Sequence, residues 1–197
     1  MIPRDRHVPP RAYLARHGQT VWNLEGRLQG RLDSPLTPEG IAQAKSAAER
    51  LSSSGIRTIC SSPLGRAMAT SVIIAERIGA EVVEMADLSE IDHGEMAGLT
   101  WAEIELRFPG ARAERAENRY GWAFPGGESY AQARLRARRA LSECGWSSDG
   151  VPLIVSHEAI GRMLRAELRG LDAAQALSLR HPYGLVFEID GTTERVV

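Results

Sequence analysis

The segment Arg16-His17-Gly18-Gln19-Thr20 carries the side chains best suited to chemistry on phosphorus. A neutral imidazole can attack a phosphorus atom and hold the phosphoryl group as phosphohistidine. The neighbouring arginine adds fixed positive charge and paired N–H donors for the phosphoryl oxygens, and Gly18 lets the backbone approach a ligand closely. The segment therefore predicts a nucleophilic His17 beside a phosphate-binding Arg16, although an ordinary turn is the simpler alternative.

Two further candidate phosphate ligands lie far along the chain, each after a predicted strand. Arg66 follows Ser62-Pro63, which predicts a helix start, and a helix N-terminus favours an anion. His157 directly follows an apolar strand. Because ligands of open α/β sheets bind beyond the carboxyl ends of the strands, we expect His17, Arg66 and His157 to meet at one edge. Taken singly, Arg66 also fits a solvated surface residue, and His157 a packed core residue.

An acidic loop lies between these candidates, in the segment from Leu88 to Glu95. Glu90 is a candidate to protonate a departing alkoxide, with Asp92 and Glu95 as rivals in the same loop. The run from His157 to Gly161 begins like a zinc-protease helix, but position 161 is glycine where a second histidine ligand would be needed. We therefore expect no metal site and no cofactor.

The elements that must position these residues alternate between short apolar strands and longer helical patterns, which predicts an α/β sheet covered by helices. We expect strands at 12–15, 57–60, 82–83 and 152–156 and a closing hairpin at 185–189 and 194–197. Predicted helices are 37–52, one from 62, 100–107, 129–144, 159–168 and 173–179. Residues 109–127 are rich in Gly, Pro and Arg and predict an irregular excursion.

The domain organisation follows from these patterns: a flexible tail at 1–10, a single domain at 11–197, and a substrate-covering excursion at about 100–128. Arg107, Arg112, Arg115 and Arg119 of that excursion fit either an anionic substrate or a solvated, salt-bridged surface.

Composition excludes several other classes of protein. The 197 residues carry 24 basic and 25 acidic side chains, a formal net charge of -1, so there is no basic excess for nucleic acid. No apolar run reaches the roughly 18 residues of a membrane span. Cys60 and Cys144 are expected to be buried free thiols in a reducing cytoplasm. The oligomeric state is unreadable, with a homodimer one option.

An ordered series of five segments resembles the histidine phosphatase (phosphoglycerate mutase-like) superfamily across nearly all of residues 12–190. The series is Arg16 to Thr20 with Asn23 and Gln29-Gly30, Ser61 to Ala67, Leu88 to Glu95, Pro125 to Ser129, and Val155 to His157. Two positions depart from the family pattern: Met96-Ala97 replace an aromatic residue and an acid, and Glu158 replaces a common glycine. If Glu158 points inward, it would repel dianionic phosphate.

The resemblance implies a three-layer α/β/α sandwich with a mostly parallel central sheet. It also implies that His17 is the nucleophile, that Arg16, Arg66 and His157 complete the phosphate pocket, and that Glu90 is the proton donor. Thr20, Asn23, Gln29, Gly30 and Glu158 are the expected substrate-side residues.

The favoured activity is hydrolysis of a small phosphorylated metabolite without metal, as a phosphomonoesterase of the histidine acid phosphatase type. A cofactor-dependent phosphoglycerate mutase is the alternative, and a catalytically silent phosphate-binding module is the second alternative. The short stretch between Gly98 and Pro125 favours the phosphatase, because the mutases carry a longer segment there.

Overall fold

A computed structural model describes residues 11–144 and 150–197 and contains one six-stranded sheet. Its strands are β1 (Arg11–Arg16), β2 (Thr58–Ser61), β3 (Glu81–Glu84), β4 (Leu153–Ser156), β5 (Val186–Asp190) and β6 (Thr193–Val196). Their order is β3-β2-β4-β1-β5-β6. The three pairings among β1 to β4 are parallel, and β5 and β6 are antiparallel. The prediction of a mostly parallel sheet is confirmed.

Helices join these strands. They are α1 (Val21–Leu24), α2 (Pro38–Leu51), α3 (Gly65–Ile78), α4 (Trp101–Arg107), α5 (Ala111–Glu117), α6 (Tyr130–Glu143), α7 (Glu158–Arg169) and α8 (Ala173–Ser178). Local sequence sets several starts: the Thr37 hydroxyl accepts the backbone N–H of Gly40, with Pro38 at the first helical position. Ser129 with Gln132 forms a capping box that begins α6.

The sheet separates two apolar layers, because alternate strand residues face opposite sides. Ala12 and Leu14 of β1 pack into the layer that includes α6 and α7. Tyr13 and Ala15 pack into the layer that includes α2 and α3. This arrangement confirms the three-layer α/β/α sandwich, and it leaves the carboxyl ends of β1, β2 and β4 at one edge.

Two local predictions were wrong. The helix expected to begin at Ser62-Pro63 begins at Gly65 instead, because the Ser62 hydroxyl binds a histidine and the Leu64 N–H. The excursion expected to be irregular between 109 and 127 contains α5, which follows Gly110 in a left-handed conformation. That the excursion covers substrate stays a prediction.

The prediction of free thiols was also wrong. Cys60 of β2 and Cys144, directly after α6, form a disulfide with Cα atoms 6.5 Å apart. Both residues are buried, as expected. The sequence around each cysteine predicts a small, apolar packing residue. Only the packing of the helix against the sheet brings the two cysteines together. Because the two cysteines are bonded to each other, they no longer argue for a reducing compartment. The cytoplasmic location stays a prediction.

The proposed tail at 1–10 lies outside the described residues. Among the helices that are described, none is long and apolar enough to cross a membrane.

Candidate active site

His17 directly follows β1, and its backbone N–H donates to Ser156 at the end of β4. The side chain is buried, and its Nδ1 lies 2.7 Å from the carbonyl oxygen of Gly18. Because a carbonyl only accepts, Nδ1 carries the proton and Nε2 keeps its lone pair. Burial, and then the charges of Arg16 and Arg66, lower the pKa of His17 well below 6.5. The imidazole is therefore neutral, and the lone pair on Nε2 is available for bonding.

The packing of the fold gives a further reason for glycine at position 18. A Cβ on Gly18 would lie 2.3 Å from the carbonyl oxygen of Gly40. The missing side chain thus lets the start of α2 pack directly against the loop that holds His17. That Gly18 also lets a ligand approach the backbone stays a prediction.

Arg66 approaches the imidazole of His17 directly. Its Nε lies 3.3 Å from Nε2 of His17. Its other nitrogens donate to the carbonyl oxygens of Gly30 and Leu32 and to the Asp33 carboxylate. The guanidinium is almost fully buried, and burial is the largest influence that lowers its pKa. Its position is fixed by the loop at 30–33 before any ligand arrives.

His157 lies on the other side of His17, with ring centroids 5.0 Å apart. Its Nε2 is 2.7 Å from the Ser62 hydroxyl, which also accepts the N–H of Leu64. The hydroxyl proton can then go to Nε2, which leaves the proton of the neutral ring on Nδ1. That Nδ1 is buried and has no partner among the described residues. Burial, followed by Arg66, lowers the pKa of His157.

Arg16 is held along one edge only. Nη1 donates to Glu158 at 2.8 Å, and Nη2 donates to the Tyr183 hydroxyl at 3.1 Å. The guanidinium carbon stacks 3.9 Å from the centroid of the Tyr183 ring. Nε is buried and lacks a partner in the described part of the chain. Arg16 therefore keeps an N–H donor for a ligand beside His17.

The predicted substrate-side residues form a chain of hydrogen bonds. Nε2 of Gln29 donates to the Thr20 hydroxyl at 2.7 Å, and that hydroxyl donates to Oδ1 of Asn23 at 2.8 Å. Thr20 and Asn23 also form the capping box of α1. Since the Thr20 hydroxyl is engaged on both sides, its observed role is to orient the amides of Asn23 and Gln29. The carbonyl of Gly30 supports Arg66.

Glu90 is buried, and its carboxylate lies against the N-terminus of α7. Its Oε1 accepts the N–H groups of Ile91 and Ile160, and its Oε2 accepts the N–H of Ala159 at 3.1 Å. The helix N-terminus therefore fixes the carboxylate immediately after His157. Oε2 has one backbone donor against two for Oε1, so Oε2 has the freer lone pair for a transferred proton. Its rival Asp92 bonds the N–H of Gly94 and shapes the loop.

The fold thus gathers His17, Arg16, Arg66 and His157 at the sheet edge, with Glu90 beside them. Sequence reasoning missed Tyr183, Ser62 and Asp33, which hold Arg16, His157 and Arg66 respectively. His181 lies fully buried against Gly161 and stacks on Phe187.

Similarity to known proteins identifies the family of the chain. Residues 12–197 match the model of the histidine phosphatase superfamily, branch 1. The chain belongs to this superfamily. Among curated histidine phosphatase relatives, the probable phosphoglycerate mutase GpmB of Proteus mirabilis is 38% identical over 170 residues, which cover 85% of this chain and 79% of that protein.

Solved histidine phosphatase structures include proteins named as phosphatases. Mycobacterial glucosyl-3-phosphoglycerate phosphatase superposes with a TM-score of 0.81 at 31% identity, covering 94% of this chain and 96% of its own. Alpha-ribazole phosphatase from Shigella flexneri has a TM-score of 0.84 at 24% identity, covering 95% and 94%. The second likeness supports the fold alone.

Proposed function

We propose that this histidine phosphatase superfamily member hydrolyses a small phosphate monoester through a phosphohistidine at His17, without a metal ion. The observation that carries the proposal is the unprotonated Nε2 of buried His17, placed next to the guanidinium of Arg66. Nε of Arg16 and Nδ1 of His157, which have no partner among the residues that the structure describes, supply further hydrogen bonds for phosphoryl oxygens.

In the first step, Nε2 of His17 bonds to phosphorus as the bond from phosphorus to the ester oxygen breaks in line. Arg16, Arg66 and His157 stabilise the charge on the three phosphoryl oxygens. Glu90 gives a proton to the departing alcohol, a role typically worth ~10²–10⁴-fold in rate. In the second step Glu90 takes a proton from water as the water oxygen attacks phosphorus, and phosphate leaves with His17 restored.

Transfer of the phosphoryl group from His17 to a second alcohol is the other candidate function. The relatives named probable phosphoglycerate mutase favour it. In that case the intermediate would be transferred to a phosphoglycerate rather than to water. The two functions share the first step and differ only in the acceptor.

One experiment separates the possibilities. The protein, treated with EDTA, is incubated with p-nitrophenyl phosphate and separately with 3-phosphoglycerate plus 2,3-bisphosphoglycerate. Hydrolysis of the first substrate alone is expected, and isomerisation in the second would indicate a mutase. Phosphorus NMR of enzyme that is quenched during turnover without acid should show a phosphohistidine.

His17→Ala should abolish turnover and the phosphohistidine signal. A control is Arg138→Gln, which alters an arginine of α6 that pairs with Glu167 and should retain the adduct. Full activity of His17→Ala would contradict the mechanism. Absence of His17-dependent turnover on a broad panel of phosphate esters would favour a silent binding module.

A further inference from the structure

Glu158 occupies the position where the phosphate pocket meets the surface. It is the first residue of α7, directly after His157. Its Oε2 accepts from Nη1 of Arg16 at 2.8 Å, and its Oε1 accepts from Nε of Arg162 at 2.9 Å. The carboxylate therefore bridges a pocket arginine and an arginine outside the pocket.

All three side chains are largely shielded from solvent. The exposed fractions are 25% for Glu158, 13% for Arg16 and 12% for Arg162. Charges in such a partly buried site are screened less than those on an open surface. The negative charge of Glu158 therefore acts on whatever binds to the free edge of Arg16.

Other groups besides Glu158 hold Arg16. Tyr183 contacts the same guanidinium through its hydroxyl and by stacking, and the His181 carbonyl accepts from Nη1 at 3.4 Å. Oε1 of Glu158 also accepts the backbone N–H of His181 at 3.5 Å. Within the described part of the chain, Nε of Arg16 has no hydrogen-bond partner. Because Arg16 has these other partners, we expect the guanidinium to stay in place when only the charge of Glu158 is removed.

We propose that Glu158 is a specificity-determining residue that lowers the affinity of the pocket for multiply charged anions. It disfavours phosphate esters that carry a second anionic group close to the phosphate, relative to esters whose remainder is uncharged. Arg162 opposes this effect by neutralising part of the Glu158 charge. The inference rests on the proposed function for the identity of the pocket.

The test begins with binding of inorganic phosphate, measured by titration calorimetry at pH 7.5 and low salt. Glu158→Gln keeps the shape and one acceptor but removes the charge, and it should lower the Kd for phosphate about tenfold. Arg162→Gln should raise that Kd several-fold. The double variant should return close to wild type, because the two positions together carry no net charge in either protein.

Kinetics provide a second readout that a purely structural role would not move in the same direction. The ratio of kcat/KM for 3-phosphoglycerate to kcat/KM for p-nitrophenyl phosphate should rise in Glu158→Gln and fall in Arg162→Gln. Arg138→Gln, which alters an exposed arginine paired with Glu167, should leave both readouts unchanged.

An unchanged or weaker phosphate affinity in Glu158→Gln overturns the inference, as does absence of phosphate binding in both that variant and the wild type. Thermal unfolding of each variant checks that the fold is intact. Failure of the proposed function is distinguishable, because it would show as absent His17-dependent turnover while the binding measurements remain interpretable.

Discussion

At the scale of single residues, the decisive feature is the placement of one proton. The Gly18 carbonyl accepts the Nδ1 proton of His17 at 2.7 Å, and the buried surroundings oppose a second proton on the ring. A backbone oxygen and two arginines thus leave Nε2 unprotonated, so the proposed attack on phosphorus needs no separate base. The same surroundings keep His157 neutral, so its single N–H must be directed by a neighbour.

Ser62 is that neighbour. Ser62→Ala should lower kcat about tenfold, which is less than the loss seen when an oriented donor is removed completely. Without the hydroxyl, neither tautomer of His157 is selected, and the Leu64 N–H loses its acceptor. The expected loss of stability is about 1–3 kcal/mol. Steady-state kinetics and urea denaturation measure the two effects. The control is Ser156→Ala, because Oγ of Ser156 has no partner among the described residues. Equal losses in both variants would refute the role of Ser62.

His93 makes the stability of the protein depend on pH. Burial lowers its pKa from 6.5 to about 4, so the unfolded chain takes up a proton that the folded state refuses. Stability is then unaffected above pH 6.5 and falls as the pH drops from 6.5 towards 4. His93 alone contributes about 3 kcal/mol to this loss.

His93→Phe should remove that contribution and keep the ring packed against Phe124, whose centroid is 4.4 Å away. Urea denaturation at pH 7 and at pH 4.5 measures the difference. A pH dependence identical to that of the wild type would show that His93 titrates normally in the folded protein.

At the scale of elements, helix α6 anchors the loop that carries Glu90. Arg136 donates to the carbonyl oxygens of Asp87, Ser89 and Glu90. It also forms an ion pair with Glu128, which accepts the N–H of Asp92. One buried side chain of α6 thus fixes both ends of the acidic loop, while the N-terminus of α7 fixes its carboxylate.

Arg136→Gln should destabilise the protein by about 3–5 kcal/mol, because it leaves Glu128 without its buried partner. It should also lower kcat, since Glu90 loses its backbone support. Arg139→Gln is the matched control on the same helix: Arg139 pairs with Asp87 but is more than half exposed, and its removal should leave the unfolding midpoint unchanged. Urea denaturation and kinetics of both variants provide the comparison, and similar results for the two would contradict this role of Arg136.

At the scale of the whole molecule, local patterns predicted most elements. Thr37 with Pro38, and Ser129 with Gln132, mark helix starts through contacts within three residues. The uninterrupted apolar run at 12–15 marks a strand with two buried faces. Those signals also placed His17 and His157 at strand ends. Tyr183 and Ser62 were missed because their contacts to Arg16 and His157 span 167 and 95 positions, and no local pattern encodes such distances.

The disulfide is the clearest long-range feature, and it yields the last prediction. Cys60 and Cys144 are 84 positions apart, and closing a loop of that length reduces the entropy of the unfolded chain by an amount worth about 4.5 kcal/mol. Thiol titration in denaturant should find no free thiol before reduction and two after it. The double variant Cys60→Ala/Cys144→Ala should lose up to about 4 kcal/mol of unfolding free energy, whereas reducing agent should have no effect on that variant. Two free thiols in the untreated protein, with stability insensitive to reductant, would show that the chain folds without the bond and would restore the expectation of reduced cysteines.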